Sequence, residues 1–216
     1  AKRPLVTAPA AAQHRRMQVI NRDAPIALLL DRNIALISTI YNCIMKGIVY
    51  IPINPLMPYY QIHQILLDTK ASKILTHKKY RKNFNEEKVI YIDENETVDF
   101  REESNKSESA YILYTSGTTG IPKGVEVTRE GLFNFIEGIS EIIDFSAGKR
   151  IACFTTVSFD IFILESIMAL YRGLVVVLAN EDEQRNPRLM AKLIQDNEVD
   201  MVQMTPSRMQ LLLNYD

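Results

Sequence analysis

Short apolar runs alternate with segments of helical periodicity along most of the chain. Ala24–Leu30 predicts a strand, and Ile34, Ile37, Tyr41 and Ile44 then recur at helical spacing in a helix that Gly47 ends. Ile48–Ile53 predicts a second strand, closed by Pro52 and Pro55. Tyr59–Thr69 reads as a helix, and Lys73–Thr76 and Lys88–Ile92 as strands. After an interruption the alternation resumes. Strands are predicted at Ala110–Tyr114, Gly124–Val127, Ile151–Phe154, Leu174–Leu178 and Asp200–Met204. Helices are predicted at Glu130–Ile143, Phe159–Leu170, Pro187–Asn197 and Pro206–Leu213. Short strands alternating with helices predict an α/β fold: layered, mostly parallel sheets flanked by helices on both faces.

The interruption, Asp93–Ser109, holds seven acids with several Ser and Asn, and reads as an exposed acidic connection. The chain therefore divides into an irregular start at 1–23, a first α/β segment at 24–92, the connection at 93–109 and a second α/β segment at 110–216. Residues 1–22 contain Ala and Arg and no acid, a composition shared with transit peptides, and predict no packed element.

Composition narrows the functional classes. Of 216 residues, 47% are apolar and 24% charged, as in a soluble globular chain able to bury one large core or two small ones. The net charge of −1 gives no electrostatic pull toward nucleic acid or an anionic membrane. Residues 1–109 carry 16 basic and 12 acidic side chains, giving +4, and residues 110–216 carry 9 and 14, giving −5. The basic cluster Lys78, Lys79, Arg81 and Lys82 has only Tyr80 beside it for stacking and reads as a solvated helix face. The longest apolar stretch, Ile161–Ala179, is broken by Glu165, Arg172 and Gly173, so no membrane span is predicted. Cys43 and Cys153 lie in apolar surroundings and are expected as buried thiols of a cytoplasmic protein rather than a disulfide. His14, His63 and His77 are scattered, and no metal-ligand cluster is visible.

The chemistry concentrates in Thr115–Gly124, TSGTTGIPKG, directly after an apolar strand. Glycines let a backbone approach an anion so that successive N–H groups converge on it. Thr115, Ser116, Thr118 and Thr119 add hydroxyls, Gly117 and Gly120 add freedom, and Lys123 adds positive charge. The loop would sit at a strand's carboxyl end, where open α/β sheets bind ligands. It is not the P-loop of nucleotide triphosphatases. That loop needs Gly before its lysine and Ser or Thr after it, whereas Pro122 precedes Lys123 and Gly124 follows. The alternative is a flexible linker with a chance lysine, which would need no apolar strand on each side.

A second cluster is Ser158–Glu165, SFDIFILE, in which Asp160 stands among apolar and aromatic neighbours. A carboxylate buried there would need a cationic or hydrogen-bonding partner. Ser158 or Asp160 could instead cap the following helix, and the two roles are compatible.

Ala110–Gly124, AYILYTSGTTGIPKG, resembles the signature of adenylate-forming enzymes, a superfamily of acyl-CoA synthetases, luciferases and the adenylation domains of nonribosomal peptide synthetases. Ile44–Asn54 resembles the upstream core motif of the peptide synthetase domains, which usually ends in aspartate where this chain has Asn54. Phe154–Glu165, FTTVSFDIFILE, resembles the motif that begins their amino-acid pocket, and Met204–Leu213 fits the next stretch. The resemblance runs from about Ala24 to the last residues.

What it implies is amino-acid activation. ATP and Mg²⁺ would be used to make an aminoacyl-adenylate, with pyrophosphate released and the aminoacyl group passed to the phosphopantetheine thiol of a carrier protein or domain. Thr115, Ser116, Gly117, Thr118, Thr119, Gly120 and Lys123 would grip the β- and γ-phosphates. Asp160 would hold the substrate's α-ammonium, and Ile161, Leu164 and Gln203 would line its side-chain pocket. The string Asp160, Ile161, Leu164, Gln203 resembles the opening of a glycine-type pattern, while plain core packing also accounts for Ile161 and Leu164. Members are much longer. Nothing here matches the downstream adenine and Mg²⁺ motif, the ribose-binding aspartate, the hinge or the carboxy-terminal catalytic lysine. The chain would be part of a large amino-terminal domain, incomplete for turnover without the rest of it. A stand-alone carboxylate–CoA or amino acid–carrier ligase of the same superfamily, or a non-catalytic module that kept the loop, remain alternatives.

Overall fold

The computed structural model describes residues 5–7, 15–18, 24–84, 86–93, 96–100, 107–115 and 122–214. These fall into two compact units, one within 12–139 and the other within 1–11 and 140–216.

The 12–139 unit holds β1 (Arg15–Gln18), β2 (Ile26–Leu29), α1 (Ile34–Lys46), β3 (Tyr50–Pro52), α2 (Tyr59–Thr69), β4 (Lys73–His77), β5 (Val89–Ile92), β6 (Thr97–Phe100), β7 (Ser109–Thr115), β8 (Lys123–Thr128) and most of α3 (Arg129–Ile142). Its main sheet runs β5-β4-β2-β3-β7-β8, parallel except for the edge strand β8, which pairs antiparallel with β7. Every residue of β2, IALL, is buried, as befits a central strand covered on both faces. Fully burying each such Ile or Leu is worth about 1.5–3 kcal/mol.

Asn33 starts α1 by accepting a hydrogen bond from the Leu36 amide at 3.0 Å, and Gly47 ends it with φ of 72°. The helix is buried nearly all round, including the polar Ser38, Thr39 and Asn42. The reason is a second layer: β6 packs on α1, and the Asn42 amide donates to the Val98 carbonyl at 2.8 Å.

That layer corrects two expectations. Within 93–109, Thr97–Phe100 is a strand whose Val98 and Phe100 are buried at 0% and 1% exposure, not an exposed connection. Within 1–23, Arg15–Gln18 is a strand, paired in parallel with β6 from Arg15 beside Thr97 to Gln18 beside Phe100. The expected grouping of 110–128 with the second segment also differs. Tyr111 pairs with Tyr50, their ring centroids 5.5 Å apart, so β7 and β8 extend the first sheet. The division falls between Ile139 and Ser140, within α3.

The other unit holds β9 (Arg150–Cys153), α4 (Ile161–Ile163), a π-helical turn (Leu164–Met168), α5 (Ala169–Tyr171), β10 (Val175–Leu178), α6 (Glu181–Arg185), α7 (Pro187–Asp196), β11 (Met201–Val202) and α8 (Pro206–Leu213). Its parallel sheet runs β10-β9-β11, and Val6 adds an antiparallel bridge to Val176. Ala152, Phe154, Val177, Ala179, Met190 and Leu193 form its packed centre. α6, absent from the sequence-based assignment, is set by a capping box in which Asn180 and Glu183 satisfy each other's backbone amides.

Candidate functional site

The apolar run Ala110–Tyr114 forms β7, burying Ala110, Tyr111 and Leu113. Thr115 and Lys123 are the last cross-strand pair before the loop, so the ladder brings these two predicted residues together at its mouth. The Thr115 hydroxyl faces the Lys123 carbonyl at 3.5 Å, and the Lys123 side chain is exposed. The other five predicted loop residues, Ser116, Gly117, Thr118, Thr119 and Gly120, lie outside the described residues.

One step back from the mouth, Tyr114 stands opposite Gly124. A Cβ at Gly124 would lie 3.0 Å from the Tyr114 Cζ, 3.1 Å from its hydroxyl oxygen and 3.2 Å from the Ile112 Cγ2. Glycine is needed here for space, because the tyrosine ring occupies the room a side chain would take. The Tyr114 hydroxyl donates to the Asp68 carboxylate in the last turn of α2. Burial first, then this bond and the carboxylate's charge, push the phenol's pKa well up, so it keeps its proton. Gln64, Ile65, Leu67, Asp68, Tyr114 and Pro122 line a cleft of about 410 Å³ beside the mouth.

Asn54, where the resembled motif has aspartate, still accepts a hydrogen bond, from the Leu56 amide at 2.9 Å. The turn after β3 needs an oxygen at that position, and an amide supplies one as well as a carboxylate does.

In the other unit, Asp160 is exposed, not buried among the apolar side chains that flank it in sequence. Helical geometry explains this. Phe162 and Ile163 turn into the core, whereas Asp160 sits at the N-cap, its Oδ1 accepting from the Ile161 amide at 2.8 Å, and Phe159 is 61% exposed. Ile161 is half-buried and Leu164, three residues on, is buried at 8% exposure. Gln203, half-buried, directly follows β11. The register pairs Val202 with Ala152, so Gln203 leaves the sheet beside Cys153, at the end from which the loop to Asp160 also departs. Gln203 and the loop that leads to Asp160 thus leave this parallel sheet at the same, carboxyl edge.

Sequence reasoning missed Glu165. It is fully buried, and its carboxylate accepts from the Thr155 amide at 2.7 Å and the Thr155 hydroxyl at 2.8 Å. It fastens the π-helical turn to the start of the loop that delivers Asp160. The Thr156 and Ser158 hydroxyls, 2.8 Å apart, tighten the same loop. The available signal was an acid inside an otherwise apolar helix, which demands a partner.

Among the described residues no three His, Cys, Asp or Glu side chains converge on a possible metal position. None of the described helices is long and apolar enough to cross a membrane.

The comparisons with known proteins agree with one another. The family described as AMP-binding enzyme matches residues 10–216. A dimodular nonribosomal peptide synthase of Bacillus subtilis (strain 168) is 30% identical over 198 residues, 84% of this chain and 8% of that protein. Tyrocidine synthase 3 of Brevibacillus parabrevis is 28% identical over 206 residues, 92% of this chain and 3% of that protein. The chain therefore spans only a small part of these relatives' length. In fold it is similar to a four-domain nonribosomal peptide synthetase bound to AMP and glycine, with a TM-score of 0.74 and 24% identity over 97% of this chain and 16% of that one. It is also similar to the Vibrio cholerae adenylation domain AlmE in complex with glycyl-adenosine-5'-phosphate, with a TM-score of 0.72 and 21% identity over 89% of this chain and 42% of that one. By motif order, fold and sequence, the chain belongs to the AMP-binding enzyme family.

Proposed function

We propose that this chain is part of an amino-acid-activating adenylation domain of nonribosomal peptide synthesis. The observation that carries the reading is the Thr115–Lys123 pair, which closes a glycine- and hydroxyl-rich loop at the carboxyl end of a strand. The amino acid's carboxylate attacks the α-phosphorus of ATP, forming an acyl–O–P bond and breaking the bond to pyrophosphate, which departs. Such a transfer depends on positioning and charge neutralisation. Lys123 lies at the loop's end with its ammonium exposed and acts as a fixed positive charge toward the departing phosphates. Thr115, Ser116, Thr118 and Thr119 supply hydroxyl donors, and Gly117 and Gly120 let backbone amides approach.

When bound, Mg²⁺ neutralises part of the phosphate charge. It would be carried mainly by the phosphates and water, the usual mode for this ion at nucleotide sites. Asp160 binds the substrate's α-ammonium. Its bond from the Ile161 amide at 2.8 Å leaves lone pairs for a ligand. Ile161 and Leu164 fill the pocket floor and favour a small side chain, glycine foremost, with Gln203 at the pocket's edge. The aminoacyl group then passes to the phosphopantetheine thiol of a carrier domain. Buried Cys43 and Cys153 suit a reducing cytoplasm.

The test is amino-acid-dependent ATP–pyrophosphate exchange by the intact protein across the proteinogenic amino acids. Exchange with glycine or another small amino acid is expected. Exchange with fatty or aryl acids alone would remove the ammonium role of Asp160. A folded, Mg²⁺-supplied protein that exchanges with nothing would overturn the reading.

A further inference from the structure

The mouth of the β7–β8 hairpin is tied to α2 by a contact that phosphate gripping does not itself use. β8 is an edge strand, exposed at nearly every residue from Lys123 to Thr128. Such an exposed edge strand frays readily, and its first residue is Lys123, one of the two predicted phosphate-gripping residues at the mouth. Three features oppose fraying. The Tyr114 ring takes the space above Gly124 that a side chain there would need. The Tyr114 hydroxyl reaches out of the hairpin to Asp68, 46 residues earlier in the chain. Pro122, next to Lys123, lines the same cleft as Asp68 and Tyr114. Asp68 places an acid on Tyr114, the residue before Thr115, and an acid near a phosphate site disfavours the nucleotide, so a structural role accounts for it. Holding Tyr114 supplies one.

Resting on the adenylation reading, we propose that Asp68 and Tyr114 are positioning residues for the phosphate loop. Their hydrogen bond, with Gly124 as the seat of the tyrosine ring, holds Thr115 and Lys123 in place before ATP arrives. Order that exists before binding is not charged against affinity when the nucleotide enters.

The experiment compares Tyr114→Phe, Asp68→Ala and Asp68→Asn in the intact protein, by hydrogen exchange of the peptide spanning 112–127 without ligand and by KM values in pyrophosphate exchange. Tyr114→Phe and Asp68→Ala should speed amide exchange at the mouth and raise KM for ATP about three- to tenfold, the worth of one hydrogen bond. KM for the amino acid should not move, and Tm should stay within about 2 °C. Asp68→Asn keeps an accepting oxygen and should recover most of the wild-type KM. The Tyr114→Phe, Asp68→Ala double variant should be no worse than either single change. Unchanged hydrogen exchange, or faster exchange with an unchanged KM for ATP, overturns the proposal. A folded wild type that exchanges pyrophosphate with no amino acid overturns the adenylation reading instead, and the hydrogen-exchange arm still decides whether the pair fastens the mouth.

Discussion

On the adenylation reading proposed above, the hairpin mouth at Thr115 and Lys123 and the helix start at Asp160 would serve opposite charges, and they are fastened in opposite ways. The mouth ends an exposed edge strand and is tied from outside, by Tyr114 to a surface acid on α2. The helix start is tied from inside, by fully buried Glu165 to Thr155. The physics differs because the ligands differ. An anion can be met by backbone amides and a solvated lysine at a sheet edge. An ammonium brought to a helix N-terminus meets the repelling end of the macrodipole, so a carboxylate must be held there firmly enough to outweigh it. Changes at the mouth should therefore cost activity, and changes beneath the helix should cost stability.

The largest expected effect is at the mouth. Lys123→Ala should lower kcat/KM for pyrophosphate exchange by about 100-fold or more, the usual scale for removing a charge aimed at a developing anion, with Tm unchanged. A Tm loss of comparable weight would erase the contrast. Beneath the helix, Glu165→Ala leaves the half-buried Thr155 amide and hydroxyl without this fully buried acceptor and should cost about 3 kcal/mol in urea unfolding. Asp160→Asn sharpens the same contrast. It keeps a capping oxygen, so stability should fall by less than about 1 kcal/mol while KM for the amino acid rises tenfold or more. If Asp160→Asn instead lowers stability by clearly more than about 1 kcal/mol and spares KM, the residue is only a cap.

Gly124→Ala probes the mouth by crowding rather than deletion. The new Cβ must displace the Tyr114 ring, at about 1–3 kcal/mol for forced overpacking. Because that ring also reaches Asp68, KM for ATP should rise with the stability loss. Stability loss with an unchanged KM would mean that the loop keeps its place without the tyrosine.

The strands and helices with strong periodicity were legible in the sequence, as was the glycine- and hydroxyl-rich loop, because apolar runs and glycine spacing are local signals. β6 was not. Its buried residues, Val98 and Phe100, alternate correctly, but only two of them stand in a segment with seven acids, and what buries them is α1, more than fifty residues away. The surroundings of Asp160 were misjudged for a related reason. Neighbours in sequence point to different sides of a helix, so an acid flanked by Phe159 and Ile161 can face solvent while Glu165, four residues past Ile161, is sealed inside. Burial belongs to the fold, and a single chain shows it only where the period is long enough to read.

The smallest expected effect is at Asp31, a partly buried acid, and is read by pH. Asp31, just past β2, accepts from the Tyr80 hydroxyl at 2.7 Å, pairs with Lys79, and lies 3.7 Å from His77 Nε2. Partial burial alone would raise its pKa. Hydrogen bonds from Lys79 and Tyr80, with the Lys79 and His77 charges, outweigh that and hold it below the ordinary value. A carboxyl lowered by folding adds stability above its unfolded pKa, about 3.9, and that stability is lost as pH falls through the native value. Asp31→Asn should therefore cost less than about 1 kcal/mol at pH 7, since Lys79 is half exposed and water screens the pair. The gap to wild type should close as the pH drops below about 4. Glu165→Ala should remain the larger deficit at pH 7, because two hydrogen bonds to a fully buried carboxylate are lost. If the Asp31→Asn deficit were flat from pH 7 to pH 3, the carboxylate's charge would contribute nothing net.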